Sequence, residues 1–180
     1  MDIKKLKEIL STSVYFLAVI VITFLIIKYV GQRTEVIGRS MEPTLADEDN
    51  LIVDKITYLF RDPKRTEIVV FPYRDREGVY YIKRVIGLPG ETVYIDENGY
   101  VYIDGKVLKE DYIKELANDA GIASVPVVLG EDEYFVMGDN RNNSTDSRSQ
   151  DVGVVHRDEF IGRAFMRIWP ITDMEILKHE

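Results

Sequence analysis

Ser40 stands in the run Ser40-Met41-Glu42-Pro43-Thr44-Leu45, and a serine hydroxyl becomes a useful nucleophile only when a neighbouring base takes its proton. An imidazole is the usual acceptor, but the chain holds only two histidines. His179 is the penultimate residue, and His156, in Val154-Val155-His156-Arg157-Asp158, reads as a surface residue at a strand edge. No Gly-x-Ser-x-Gly elbow surrounds Ser40, so a Ser-His-Asp triad is poorly supported. A lysine can replace the histidine if it is held neutral, and Lys83 is placed for that. In Tyr80-Tyr81-Ile82-Lys83-Arg84-Val85-Ile86, strand alternation sets Lys83 on one face with Tyr81 and Val85. Bringing a lysine pKa from about 10.4 to between 7 and 8 costs about 4 kcal/mol, within what burial achieves. From position alone, the alternative that Lys83 and Arg84 are solvated strand charges stays open.

A third segment, Gly138-Asp139-Asn140-Arg141-Asn142-Asn143-Ser144-Thr145-Asp146-Ser147-Arg148, follows an apolar strand and is built for hydrogen bonding. It lacks the ladder of acidic ligands and the sixth-position glycine of a calcium loop. Two histidines and no cysteine make a metal centre improbable, and neither a metal nor another cofactor is expected.

These residues need elements to position them. Val14 to Val30 is the one long apolar segment, with Lys28 near its outer end, and it is long enough to span a bilayer. Lys4, Lys5 and Lys7 before it also suit a cleavable signal peptide, but the apolar run is long for one and no small-x-small site follows. An uncleaved anchor is expected, with residues 1–13 as a short tail. Basic residues are nearly balanced on its two sides, so charge alone leaves the orientation open. Beyond residue 30 the chain carries 19 basic and 29 acidic residues, a field that repels phosphate backbones and argues against nucleic acid as a partner.

The remaining 150 residues suit one main unit. They break into short runs rich in Val, Ile, Tyr and Phe punctuated by Gly, Pro, Asn and Asp, which predicts a mostly β domain. Strands are expected over 35–38, 51–56, 67–72, 79–86, 92–96, 100–103, 106–108, 134–138 and 161–168. Asn98-Gly99 and Asp104-Gly105 mark hairpin turns that make a meander of 92–108. A short helix is expected over 111–118. Residues 97–130 read as a small inserted β subdomain, with 31–96 and 131–180 forming the main antiparallel sheet domain.

The anchor, the Ser40 run, the stretch Tyr81 to Glu91 and the Gly138–Arg148 loop, in that order, resemble the bacterial type I signal peptidases, in the compact form of Gram-positive members. The resemblance implies a membrane-bound serine endopeptidase that removes signal peptides from exported preproteins on the outer face of the cytoplasmic membrane. By that resemblance Ser40 is the nucleophile and Lys83 the general base. Ser144 would hydrogen-bond and orient the lysine amine, and Asp146 and Arg148 would form a supporting ion pair. The Ser40 backbone amide would donate to the oxyanion, whereas Gly38 stands where many Gram-negative members carry a second, side-chain donor. Cleavage is expected after small-x-small sites of the Ala-x-Ala kind, with the substrate strand paired against either 67–72 or the segment before Ser40. Two other readings carry different chemistry: a self-cleaving Ser-Lys domain of the SOS-repressor type, and a membrane-tethered β domain that binds a peptide or protein without cleaving it.

Overall fold

The computed structural model describes residues 3–25, 31–73 and 78–178. Helix α1, Ile3–Leu25, is followed by strand β1, Gly31–Glu35, and β2, Asn50–Asp54. A single-turn helix α2, Thr57–Phe60, leads to β3, Ile68–Pro72, and β4, Tyr80–Gly87. Then come β5, Thr92–Ile95, β6, Val101–Ile103, β7, Lys106–Val107, and β8, Val127–Val128. The chain closes with β9, Glu133–Met137, β10, Val155–His156, β11, Gly162–Trp169, and β12, Glu175–Ile176.

Alpha-1 starts well ahead of the apolar segment at Val14 and carries exposed apolar side chains from Ile9 to Phe24. Its 23 residues extend about 34 Å at 1.5 Å per residue, and Lys7–Phe24, with a mean hydropathy of 1.6, is long and apolar enough to cross a membrane. The last five residues of the expected anchor, Lys28 among them, lie outside the described residues, as does His179.

Every strand pairing is antiparallel. The larger sheet runs β1-β2-β11-β3-β4-β9-β10, with β12 paired to β11 as well. A second sheet runs β7-β6-β5-β8. It takes in β5, so it begins at Thr92, upstream of the residue-97 boundary read from turn composition. The 92–108 meander forms, with Val93 opposite Ile103 and Tyr102 opposite Val107.

Three apolar clusters follow from the alternation of these strands. Val36, Met41, Leu45, Leu51, Val53, Ile68, Ile82 and their neighbours pack beneath the Ser40 segment. Ile86, Phe135 and Met137 of the large sheet meet Val93, Ile95 and Val101 of the small one. Val69, Phe71, Val85 and Val136 pack on Tyr58 and Phe160. Each fully buried side chain of this size stabilises by about 1.5–3 kcal/mol.

Three expectations are corrected. The strand expected over 35–38 lies earlier, at Gly31–Glu35, because that is the stretch that meets Asn50–Asp54 in register. At Gly38 the chain turns instead, with φ +94, and its amide donates to Asp47 Oδ1 at 2.7 Å. No helix forms over 111–118; that backbone is tied to the Gly138–Arg148 loop, with the Lys114 amide on the Asp139 carbonyl at 3.0 Å and the Asn118 amide on Asn142 Oδ1 at 2.8 Å. Such partners replace the i→i−4 bonds a helix would offer. Strand 67–72 is not an edge, since β3 lies between β4 and β11. Alpha-2, β8, β10 and β12 are too short to carry a periodic signal.

Candidate active site

Lys83 sits on β4 where the strand is buried on both sides, and only 3% of it is exposed. Its Nζ lies 2.8 Å from Ser40 Oγ, donates to the Ile82 carbonyl at 3.0 Å and stands 4.9 Å from the centre of the Tyr81 ring. Burial drives the amine pKa down to about 8; the carboxylates of Asp146 and Asp139 oppose that fall and Arg148 assists it. The reading of Lys83 and Arg84 as solvated strand charges is therefore overturned, Arg84 being only 2% exposed.

The segment carrying Ser40 is held by the 138–148 loop. The Asn140 amide donates to the Ser40 carbonyl at 3.0 Å, and Asn140 Nδ2 donates to the Arg39 carbonyl at 3.0 Å. Gly138 lies so close beneath that a Cβ there would fall 2.3 Å from Ser144 Oγ and 2.5 Å from the Ser40 carbonyl oxygen. Only a glycine admits that approach.

The Asp146 and Arg148 pair expected from sequence is present and bidentate, Nε to Oδ1 at 2.8 Å and Nη2 to Oδ2 at 2.9 Å. Burial alone would raise the Asp146 carboxyl, but Arg148 and the Gly138 amide, 3.0 Å from Oδ2, hold it below the usual range. Arg148 also donates to the Arg141 carbonyl at 2.6 Å, and Arg141 to the Gly138 carbonyl at 3.0 Å. Both sides of Gly138 are thus fixed by charged groups.

Ser144 is brought into the same loop, against Gly138, but the hydrogen bond expected between it and Lys83 does not form. Its Oγ is buried beside the Asp146 carboxylate, whose pKa it helps to lower, and the amine's second contact goes to the Ile82 carbonyl on its own strand. His156 is remote in role: its ring nitrogen faces Asp132 at 3.3 Å and its amide donates to Glu159 at 2.7 Å, capping the turn 157–159. Among the described residues no three His, Asp or Glu side chains gather to hold a metal ion.

Sequence reasoning missed the group that joins all three motifs. Arg84, beside Lys83, makes a bidentate pair with Asp139 at 2.8 and 2.6 Å, and Thr44, four residues after Ser40, donates to the same carboxylate at 2.5 Å. Arg84 also reaches Thr44 Oγ1 at 3.2 Å and the Thr66 carbonyl at 2.8 Å, and it lies over the Tyr112 ring. An arginine inside a Val/Ile strand was the available signal, since such a group is buried only when paired.

Beside Ser40 and Lys83 opens a cleft of about 570 Å³, lined by Thr34–Met41, by Gly78–Lys83 and by Asn143 and Thr145. Beta-9 reaches β4 only from Arg84 onward, so the cleft runs along the β4 flank that precedes that pairing.

A serine-bearing turn beside a buried lysine amine on an antiparallel β scaffold is compatible with a serine hydrolase, and the relatives say which. The family model described as "Signal peptidase, peptidase S26" matches residues 8–169. "Probable signal peptidase I-2" of Synechocystis sp. is 44% identical over 154 residues, covering 83% of this chain and 68% of that protein. "Signal peptidase I P" of Bacillus subtilis subsp. natto is 34% identical over 182 residues, covering 97% and 96%. A crystal structure of a signal peptidase I from Enterococcus faecalis V583 aligns with TM-score 0.47 and 34% identity, covering 57% of this chain and 97% of that one. The chain belongs to the signal peptidase S26 family, as a bacterial type I signal peptidase. It is a serine peptidase, a hydrolase that acts on substrates bearing signal peptides.

Proposed function

We propose that Ser40 is the nucleophile and Lys83 the general base of a Ser-Lys dyad that cleaves exported preproteins after small-x-small sites. The observation that carries this is the 2.8 Å separation of Nζ and Oγ with the amine buried and its pKa brought down to about 8. Neutral Lys83 takes the Ser40 proton as Oγ attacks the scissile carbonyl. The tetrahedral oxyanion accepts a hydrogen bond from the Ser40 amide, a contact worth a factor of about 10² or more in rate. The protonated amine then delivers the proton to the leaving nitrogen, and an acyl-enzyme remains. Water, deprotonated by the same lysine, attacks the ester and frees Ser40. Arg148 and Asp146 hold the loop, and the Ser144 hydroxyl, beside Asp146, orients the ammonium once it forms.

The substrate lies extended in the cleft between residues 34–38 and 78–83, pairing main chain to main chain. Side chains facing its floor must be small because buried Met41 and Ile82 underlie it. Alpha-1 serves as a single-pass anchor in the cytoplasmic membrane, residues 1–13 facing the cytoplasm and the catalytic unit the outer side, so lipid is a partner through the anchor alone. Residues 31–91 and 131–180 form that unit, and the second sheet, from Thr92 to Val128, is the small insertion.

The test is cleavage of a purified preprotein in detergent by wild type, Ser40→Ala and Lys83→Met, with the product's new N-terminus sequenced. Wild type alone should cut, after a small-x-small site, and both variants should lose at least about 10³-fold in kcat. Normal turnover by either folded variant overturns the dyad.

A further inference from the structure

Asn140 is buried, 3% exposed, and makes two contacts with the nucleophile turn that the chemistry described so far does not use. Its side-chain Nδ2 donates to the Arg39 carbonyl at 3.0 Å, and its own amide donates to the Ser40 carbonyl at 3.0 Å. The Arg39 carbonyl and the Ser40 N–H belong to one peptide unit. Glu42-Pro43 and Trp169-Pro170 are the cis bonds of the described chain, so the 39–40 unit is trans. In a planar trans peptide the C=O and N–H vectors point in opposite directions. A side chain that fixes the carbonyl therefore fixes the amide. Resting on the reading of Ser40 as nucleophile, we infer that Asn140 is the positioning residue that aims the Ser40 N–H at the developing oxyanion.

Two further features make this arrangement matter. Gly38 brings no side-chain donor, and its amide is occupied by Asp47 Oδ1 at 2.7 Å, so the direction of the Ser40 amide is the more consequential. On its own side the Arg39 carbonyl is held only by a long turn contact from the Glu42 amide at 3.3 Å, and Gly38, at φ +94, adds no side-chain constraint. The shorter contact to that carbonyl comes from across the site. Asn140 follows Asp139, whose carboxylate is locked by Arg84 and Thr44, and that gives Nδ2 a fixed base from which to hold Arg39. The contact to the Ser40 carbonyl comes from main chain and survives any substitution at 140. The side-chain contact can therefore be removed alone.

The experiment uses the full chain in detergent, with Asn140→Ala and the near-isosteric, uncharged Asn140→Leu, which keeps most of the volume but places no donor at the Arg39 carbonyl. Two probes of the same small-x-small sequence are compared. One is a peptide aldehyde, to whose carbon Ser40 Oγ adds while the carbonyl oxygen becomes the oxyanion and Lys83 takes the hydroxyl proton. The other is the matching peptide alcohol, which cannot accept the nucleophile. In both variants kcat should fall about ten- to a hundredfold, part of what a whole oxyanion donor is worth. Aldehyde affinity should fall by a similar factor, while KM, alcohol affinity and the pH midpoint near 8 stay within twofold or a few tenths of a unit. An unchanged kcat overturns the assignment. So does a loss of alcohol affinity equal to the loss of aldehyde affinity, or a moved pH midpoint, because either reports a general collapse of the site. If Asn140→Ala melts at a lower temperature than wild type, Asn140→Leu alone decides between these outcomes. Ser40→Ala that still cleaves, or wild type that binds the aldehyde no better than the alcohol, refutes the nucleophile itself and with it the role of Asn140.

Discussion

At the scale of single residues the proposed role of Lys83 predicts the enzyme's pH behaviour. Its amine pKa lies near 8, chiefly through burial, so activity should fall about tenfold per pH unit below 8 and level off above it. A kcat/KM profile flat from pH 5 to 9 would rule out a titrating amine as base. The same shift touches stability. An unfolded lysine binds its proton up to about pH 10.4 whereas the folded one releases it near 8, so the folded state carries a penalty of roughly 3 kcal/mol below pH 8. That penalty is relieved as pH rises from 8 toward 10.4. Lys83→Met, free of it, should be more stable than wild type at pH 7, with the gap closing across that window in urea titrations. Tyr81, Ile82 and Val85 announce a half-buried strand in the sequence, but whether the amine meets solvent or Ser40 depends on residues 43 positions away.

Elements are joined at this site by charge as much as by packing. Arg84 on β4, Thr44 after the Ser40 turn and Asp139 after β9 share one network. Truncating one member of a buried pair leaves the other uncompensated, at a cost of about 3–5 kcal/mol. Asp139→Ala should therefore lower unfolding stability by that amount, read as a shift in urea midpoint at unchanged slope. A change below 1 kcal/mol would mean that water satisfies Arg84. The segment 109–119 serves the loop in a similar way, with Arg141 paired to Glu110 at 3.0 and 2.6 Å and Asn142 bonded to the Leu116 carbonyl at 3.1 Å. Its residues read as helix formers, yet those partners lie more than twenty positions away, so local propensity could not disclose them.

For the whole molecule, α1 and the β unit divide the work. The helix presents an apolar surface suited to lipid, and the cleft beside Ser40 needs nothing from it among its lining residues. Removing residues 1–30 should accordingly leave cleavage of a short water-soluble peptide within about threefold of the full chain. Cleavage of a preprotein in vesicles should fall at least about tenfold, because the effective concentration that tethering supplies is lost. An equal loss on both substrates would show that α1 supports the fold of the catalytic unit.

Read alone, the amino-acid sequence determined the kinds of part: an apolar helix, short β strands with their turns, a serine without a usable histidine, and a lysine flanked by apolar residues. Each depends on composition and periodicity within about ten residues, where physical constraints are local. Tertiary structure alone decided that Gly31–Glu35 pairs with Asn50–Asp54, that the second sheet begins at Thr92, and that Ser144 leaves Lys83 to the Ile82 carbonyl. It also decided that Arg84 and Asp139 bind the motifs together and that Asn140 reaches the Arg39 carbonyl. These depend on distances between segments remote in sequence. Burial and pairing in one packed site set those distances, and no local pattern encodes them.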